Sequence, residues 1–111
     1  MQSCSVMVTL FQSQHGFRKI GVYILENRGE VVRRKEPGVK ITERLPLVYA
    51  IFVNGICRYI GKTIQGYARP LGYHKNEVMK TVQQGIFAEL RNGNTVEVYA
   101  KSQNLRSTHE T

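Results

Sequence analysis

LVYAIFVNGICRYIGKT, residues 47–63, is the stretch that decides the architecture. Leu47 to Val53 is an unbroken apolar run rich in β-branched and aromatic residues, the composition of a buried strand. Asn54-Gly55 follows it, a pair that tolerates positive φ at both positions and so favours a two-residue hairpin turn. Ile56 to Ile60 is the return strand, and Gly61 ends it. With Asn54-Gly55 as the turn, Tyr49 and Tyr59 stand opposite each other and share one face of the hairpin, where paired Cβ atoms lie about 4.5–5.5 Å apart.

Downstream, Lys62 to Lys75 is basic and contains Gly66, Pro70 and Gly72. It reads as a loop with at most a short helix, whose first turn would suit Pro70. Asn76 to Asn92 is the one long helix: Val78, Val82, Ile86 and Leu90 recur every fourth position and lay an apolar stripe on one face. Gly93 is a natural stop, and Gly85 inside the helix marks a close packing contact. Thr95 to Lys101 alternates like a strand half exposed to solvent, with Glu97 facing away from Val96 and Val98. Upstream, Ser5 to Phe11 and Phe17 to Leu25 read as extended, separated by the polar break Gln12 to Gly16. Asn27-Arg28-Gly29 is a turn before a short strand from Glu30 to Arg34. Arg33, Arg34, Lys35, Lys40 and Arg44 then crowd a stretch broken by Pro37-Gly38, either a solvated connection or an arm that contacts a polyanion. The fold class is α+β: a small, mainly antiparallel sheet with one main packed helix and an extra N-terminal β-hairpin or meander. The chain divides into an N-terminal β extension and basic arm (1–46), a core (47–101) and a polar tail (102–111).

A chain of 111 residues is one ordinary domain and can bury a core without staples. No apolar run is long enough to span a bilayer, and the N-terminus lacks the features of a signal peptide. Two cysteines, Cys4 and Cys57, make neither a disulfide framework nor a zinc site, so a reduced cytoplasmic protein (host cytoplasm if phage-encoded) with no membrane partner is expected. Sixteen Lys and Arg face eight acids, a net charge of +8, the footprint of a polyanion binder. All eight acids are Glu, so any carboxylate chemistry must draw on Glu26, Glu30, Glu36, Glu43, Glu77, Glu89, Glu97 or Glu110. His15, His74 and His109 have no metal-site spacing with the cysteines. Gly61-Lys62-Thr63 matches only the end of a P-loop. Tyr67, Tyr73 and Tyr99, interleaved with cations, are either stacking platforms for bases or amphipathic rim residues. Cys57 reads as a small buried apolar residue.

Two phenols on one face with Lys62 and Arg69 nearby can orient a water and a phosphate, because an Arg fork matches phosphate oxygens in two-point contact. A tyrosine hydroxyl deprotonates water only if neighbouring cations or a metal lower its pKa.

Val48-Tyr49-Ala50-Ile51 and Arg58-Tyr59-Ile60-Gly61-Lys62-Thr63, followed by Arg69, resemble the GIY-YIG nuclease superfamily. The first triplet is degraded to Val-Tyr-Ala; the second, Tyr59-Ile60-Gly61, is intact, and the spacings from Tyr49 to Tyr59 and from Gly61 to Arg69 fit. The chain is most similar to the small phage-type endonuclease II branch, which also has a Tyr, here Tyr73, four residues after the Arg. The resemblance covers about Leu47 to Lys101. It implies a DNA endonuclease that hydrolyses phosphodiester bonds with one divalent metal, Mg or Mn. It implies Tyr49 as general base or water-positioner, Tyr59 as support for the nucleophile, Arg69 as stabiliser of the phosphate and Tyr73, with His74 beside it, in proton transfer. Phosphate contacts fall to Arg58, Lys62, His74, Lys75 and Lys80.

The carboxylate departs from the family pattern. The family's metal-binding Glu lies on a helix after the third core strand, a position this sequence does not fill, so the metal ligand is unknown. Glu110 falls too early, and Glu77 and Glu89 do not hold the family position. Three explanations stay open: a truncated nuclease, a homo-oligomer that shares a ligand, or a non-catalytic nucleic-acid-binding module on the same scaffold.

Overall fold

The computed structural model describes residues 16–74 and 80–102. Ser5 to Phe11, the helix start at Asn76, Val78, Lys75, Glu77 and Glu110 lie outside the described residues. Five strands, β1 (Arg18–Leu25), β2 (Val31–Lys35), β3 (Leu47–Val53), β4 (Ile56–Thr63) and β5 (Val96–Ser102), form one sheet in the order β2-β1-β5-β3-β4. Every neighbouring pair is antiparallel. A helix, α1 (Lys80–Arg91), packs Ile86 and Leu90 into the core of one sheet face. The architecture is the α+β arrangement expected.

The central hairpin turns where its residues demand. Asn54 at φ +50° and Gly55 at φ +83° give the paired left-handed conformation of a tight hairpin turn. The Asn54 side chain ties this turn to β5 by accepting from Thr95 N at 2.9 Å.

Three expectations about the strands are corrected. Gly61 does not end β4, which runs on to Thr63. The glycine serves a close approach instead: a Cβ there would lie 2.6 Å from the Tyr49 ring tip. Tyr49 and Tyr59 are not paired directly, because Tyr49 pairs with Gly61 and Ile51 with Tyr59. A register shift between Ile51 and Phe52 leaves Arg58 as an extra residue, a β-bulge. The third correction concerns β5. It is the middle strand rather than a half-exposed one, and Val98, Tyr99 and Ala100 are all buried. Its polar alternation is overridden because both faces of a central strand are covered.

The two faces hold separate apolar layers. Tyr49, Ile51, Val98, Ile20, Tyr23, Val39, Leu71 and α1 build the larger one. Phe17, Ala50, Phe52 and Tyr99 build the smaller, with Cys57 half-buried against it.

The C-terminal end of α1 follows the expectation. Gly93 takes φ +84°, its N–H reaches Leu90 O at 3.0 Å and Asn94 N reaches Glu89 O at 3.0 Å, the bond pattern of a Schellman cap. Gly85, by contrast, is exposed, and a Cβ there would meet nothing within 4 Å, so it marks no packing contact. Between β4 and α1, a 3-10 turn covers Gly66–Ala68. Pro70 follows this turn instead of starting it, and it is fully buried. Tyr67, Tyr73 and Tyr99 are 8%, 0% and 4% exposed, so none is a stacking platform or a rim residue. No described helix is long and apolar enough to cross a membrane.

Candidate active site

The bulge at Arg58 sets the site's geometry. A regular ladder from the Val53–Ile56 pair would set Tyr59 opposite Ala50, on the smaller apolar face. The extra residue shifts it opposite Ile51, onto the face that carries Tyr49. The two phenol rings then meet diagonally, with centroids 6.2 Å apart. Tyr73 enters from the loop after the 3-10 turn and packs edge-on to Tyr59 at 6.5 Å. Its hydroxyl lies 2.7 Å from that of Tyr49. Three tyrosines thus gather in one cluster.

The loop that carries Arg69 and Tyr73 crosses the sheet face and is pinned by distant residues. Tyr23 Oη on β1 donates to Pro70 O at 2.6 Å and accepts from Tyr73 N at 3.1 Å. Arg33 on β2 donates to Leu71 O at 2.9 Å. Gln83 on α1 donates to Tyr73 O at 2.8 Å. Gly21 clears space beneath Leu71: a Cβ there would come within 2.9 Å of its side chain. Nothing in the local sequence around Tyr23, Arg33 or Gln83 signals this role, because each acts on a loop outside its own strand or helix.

The Tyr49 and Tyr73 hydroxyls are held neutral. Burial pushes the Tyr49 pKa up, and this outweighs the Tyr73 hydrogen bond and the nearby Arg69 charge, which both favour the phenolate. Tyr73 is pushed up well beyond the ordinary range, by burial first and then by its bond to Tyr49. Tyr23 is raised by burial as well. The condition for a tyrosine base, a lowered pKa, is therefore not met at Tyr49.

Arg69 is half-buried at the end of the 3-10 turn, and its field reaches Tyr49. The other residues anticipated around it scatter. His74 is half-buried and packs against Tyr23, with ring centroids 6.0 Å apart. Arg58 is the bulge residue on the edge strand, exposed between the half-buried Cys57 and Tyr59. Lys62 is paired with Val48, which puts it on the opposite side of β4 from Gly61 and Tyr59. Lys80 is exposed at the first described turn of α1.

The donors among the described residues do not fit a divalent metal. No group of three or more His, Cys, Asp or Glu comes together among the described residues. Glu97 lies on the strand face opposite the tyrosines and pairs with Lys19 at 3.2 Å. Glu89 accepts from Asn94 at 2.7 Å. Among the described residues, phenol hydroxyls and the Arg69 cation stand at the cluster, where a hard divalent ion needs anionic oxygen.

No protein-family model and no curated protein sequence matches this chain. Solved structures do. A mutant form of bacteriophage T4 EndoII matches at 24% identity and a TM-score of 0.68, over 86% of this chain and 70% of that one. The restriction endonuclease HPY188I in complex with product DNA matches at 20% identity and a TM-score of 0.57, over 85% of this chain and 60% of that one. The chain shares its fold with these two endonuclease structures. At these identities the likeness is one of fold. The order of hairpin, helix and strand in residues 47–102 is the one expected from the sequence.

Proposed function

We propose that this protein is a DNA endonuclease that hydrolyses phosphodiester bonds at the Tyr49–Tyr59–Tyr73 cluster with Arg69. The observation that carries the reading is the 2.7 Å contact between the Tyr49 and Tyr73 hydroxyls beneath a loop that carries Arg69. The endonuclease-like fold and the net charge of +8 agree with it.

A bound phosphate would sit against the Arg69 guanidinium, whose fork matches two phosphate oxygens and whose charge opposes the negative charge that grows there during attack. Tyr49 and Tyr59 would hold the attacking water by hydrogen bonds. With its proton retained, Tyr49 positions water rather than deprotonating it, and Tyr73 completes the hydrogen-bond chain by taking or giving one bond. The resemblance implies Mg or Mn, but no step is assigned to it, since the described residues offer no group of acids to hold it.

Supercoiled plasmid incubated with the protein, with and without Mg²⁺ or Mn²⁺, tests the reading. Nicked or linear product is expected from the wild type. Arg69→Ala should lower the rate by about 100-fold or more while leaving binding nearly intact, since its charge acts chiefly in the transition state. Binding without any cleavage in either metal would replace this reading by that of a nucleic-acid-binding module.

A further inference from the structure

Arginines from separate parts of the chain converge on the loop that carries Arg69. Arg18, at the start of β1, donates from Nη2 to Tyr67 Oη at 3.2 Å. Arg33, on β2, donates from Nη1 to Leu71 O at 2.9 Å. Arg44 arrives from the connection before β3. Gly66, at φ +72°, packs so closely there that a Cβ would run into Glu43 O and lie 3.3 Å from Arg44 Cα. Lys35 joins the same region, since its partner Gly21 lies under Leu71.

This convergence has no charge partner among the described residues. The ion pair Lys19–Glu97 lies on the other face. Glu43 is the acid beside Gly66, and it is exposed and makes no ion pair among the described residues. From Arg44 through Asn76 the chain contains no acid. Like charges gathered without counter-charge repel one another and weaken the fold unless an external anion offsets them. Arg18 and Arg33 each spend one N–H on the loop and keep further donors in the guanidinium fork for phosphate oxygens. Arg18 and Arg44 are exposed, and Arg33 is half-buried.

We propose that Arg18, Arg33 and Arg44 form a phosphate track along the crossing loop, which holds the DNA backbone beside the phosphate engaged by Arg69. The track rests on the DNA-cleaving reading and adds to it a surface for the neighbouring phosphates. It also gives the basic stretch before β3 a role as a contact arm.

Binding of a short fluorescent DNA duplex, followed by anisotropy across a salt series, tests this. Arg44→Gln is the decisive variant because its exposed side chain makes no ion pair among the described residues. Arg18→Gln is the second, and Arg91→Gln, at the far end of α1 from Gln83, controls for net charge. Each track variant should lower the slope of log K against log[salt] by about 0.9, one phosphate contact, and Arg91→Gln should leave it unchanged. A wild-type slope in Arg44→Gln, or an equal loss in Arg91→Gln, would overturn the track. If plasmid cleavage by the wild type persists in that case, the endonuclease reading stands alone. A wild type that does not bind duplex at low salt would end both.

Discussion

Gly61 sits where a methyl group does not fit. A Cβ at this position would lie 2.6 Å from the Tyr49 hydroxyl, and Tyr49 is only 2% exposed and bonded to Tyr73, so its ring has little room to withdraw. Gly61→Ala should therefore destabilise the protein by about 1–3 kcal/mol, the usual range for overpacking. It should also displace the Tyr49 hydroxyl. Thermal unfolding checks the first effect and the nicking rate the second; an unchanged Tm would mean that the ring moves freely. Tyr49→Phe removes the hydroxyl and keeps the ring. It leaves the Tyr73 hydroxyl short of its partner, at a stability cost of about 1–3 kcal/mol. If Tyr49 positions water, the same change should lower kcat by about 100-fold with little change in KM. A rise in KM at constant kcat would assign the hydroxyl to substrate binding instead. The tyrosine pair and its spaced arginine are legible in the sequence. The reason for Gly61 is not, since a close approach across two strands depends on register.

Within the β3–β4 hairpin, one surplus residue decides which face Tyr59 occupies. Arg58 is that residue, and the pairs on either side, Phe52–Cys57 and Ile51–Tyr59, are already in place. Deleting Arg58 should close a regular ladder with both pairs kept. The tyrosines should then stay on one face, and nuclear Overhauser contacts between the Tyr49 and Tyr59 rings should persist. Loss of those contacts would show that the bulge does more than absorb a residue. A shared face follows from the sequence only through a direct pairing that the register does not contain. Bulges escape detection in a sequence because one residue added to a strand changes neither composition nor hydrophobic run length, only the parity of everything beyond it. Helix α1 is more legible: an apolar stripe and a glycine stop are local signals. Its Schellman cap uses the φ of +84° at Gly93, so Gly93→Ala should cost about 1 kcal/mol in a denaturant titration.

For the domain as a unit, buried phenols make stability depend on alkaline pH. Tyr23 and Tyr73 both have folded pKa values above the ordinary tyrosine value of 10.0, chiefly through burial. The folded state thus holds these protons more tightly than the unfolded chain does. Their contribution is complete below about pH 10 and is lost as pH rises from there toward the folded values. Each such group should remove about 1.4 kcal/mol of stability per pH unit in that interval. Urea titrations from about pH 8 to about pH 11 should show a flat region followed by this fall. Absorbance of the folded protein should show these two tyrosines still protonated above the ordinary tyrosine value of 10.0. Stability that stays constant to about pH 11 would remove Tyr23 from its place as clamp of the crossing loop.

Signals carried by neighbouring residues suffice for the α+β class, the hairpin at Asn54-Gly55, and the helix stripe with its stop. Apolar runs, periodicity, turn-forming pairs and motif spacing are all local, so they can be read before any chain is folded. Other features exist only once the faces are assembled: β5 at the centre of the sheet, Lys62 on the side away from the tyrosines, and Tyr73 as a buried hydrogen-bond partner. The same holds for Tyr23, Arg33 and Gln83 as anchors of the loop, and for the meeting of Arg18 and Arg44 beside it. Most of these contacts join residues tens of positions apart. Strand order, register and the bulge at Arg58 select them, and all three depend on how the assembled faces bury one another rather than on any local run of residues.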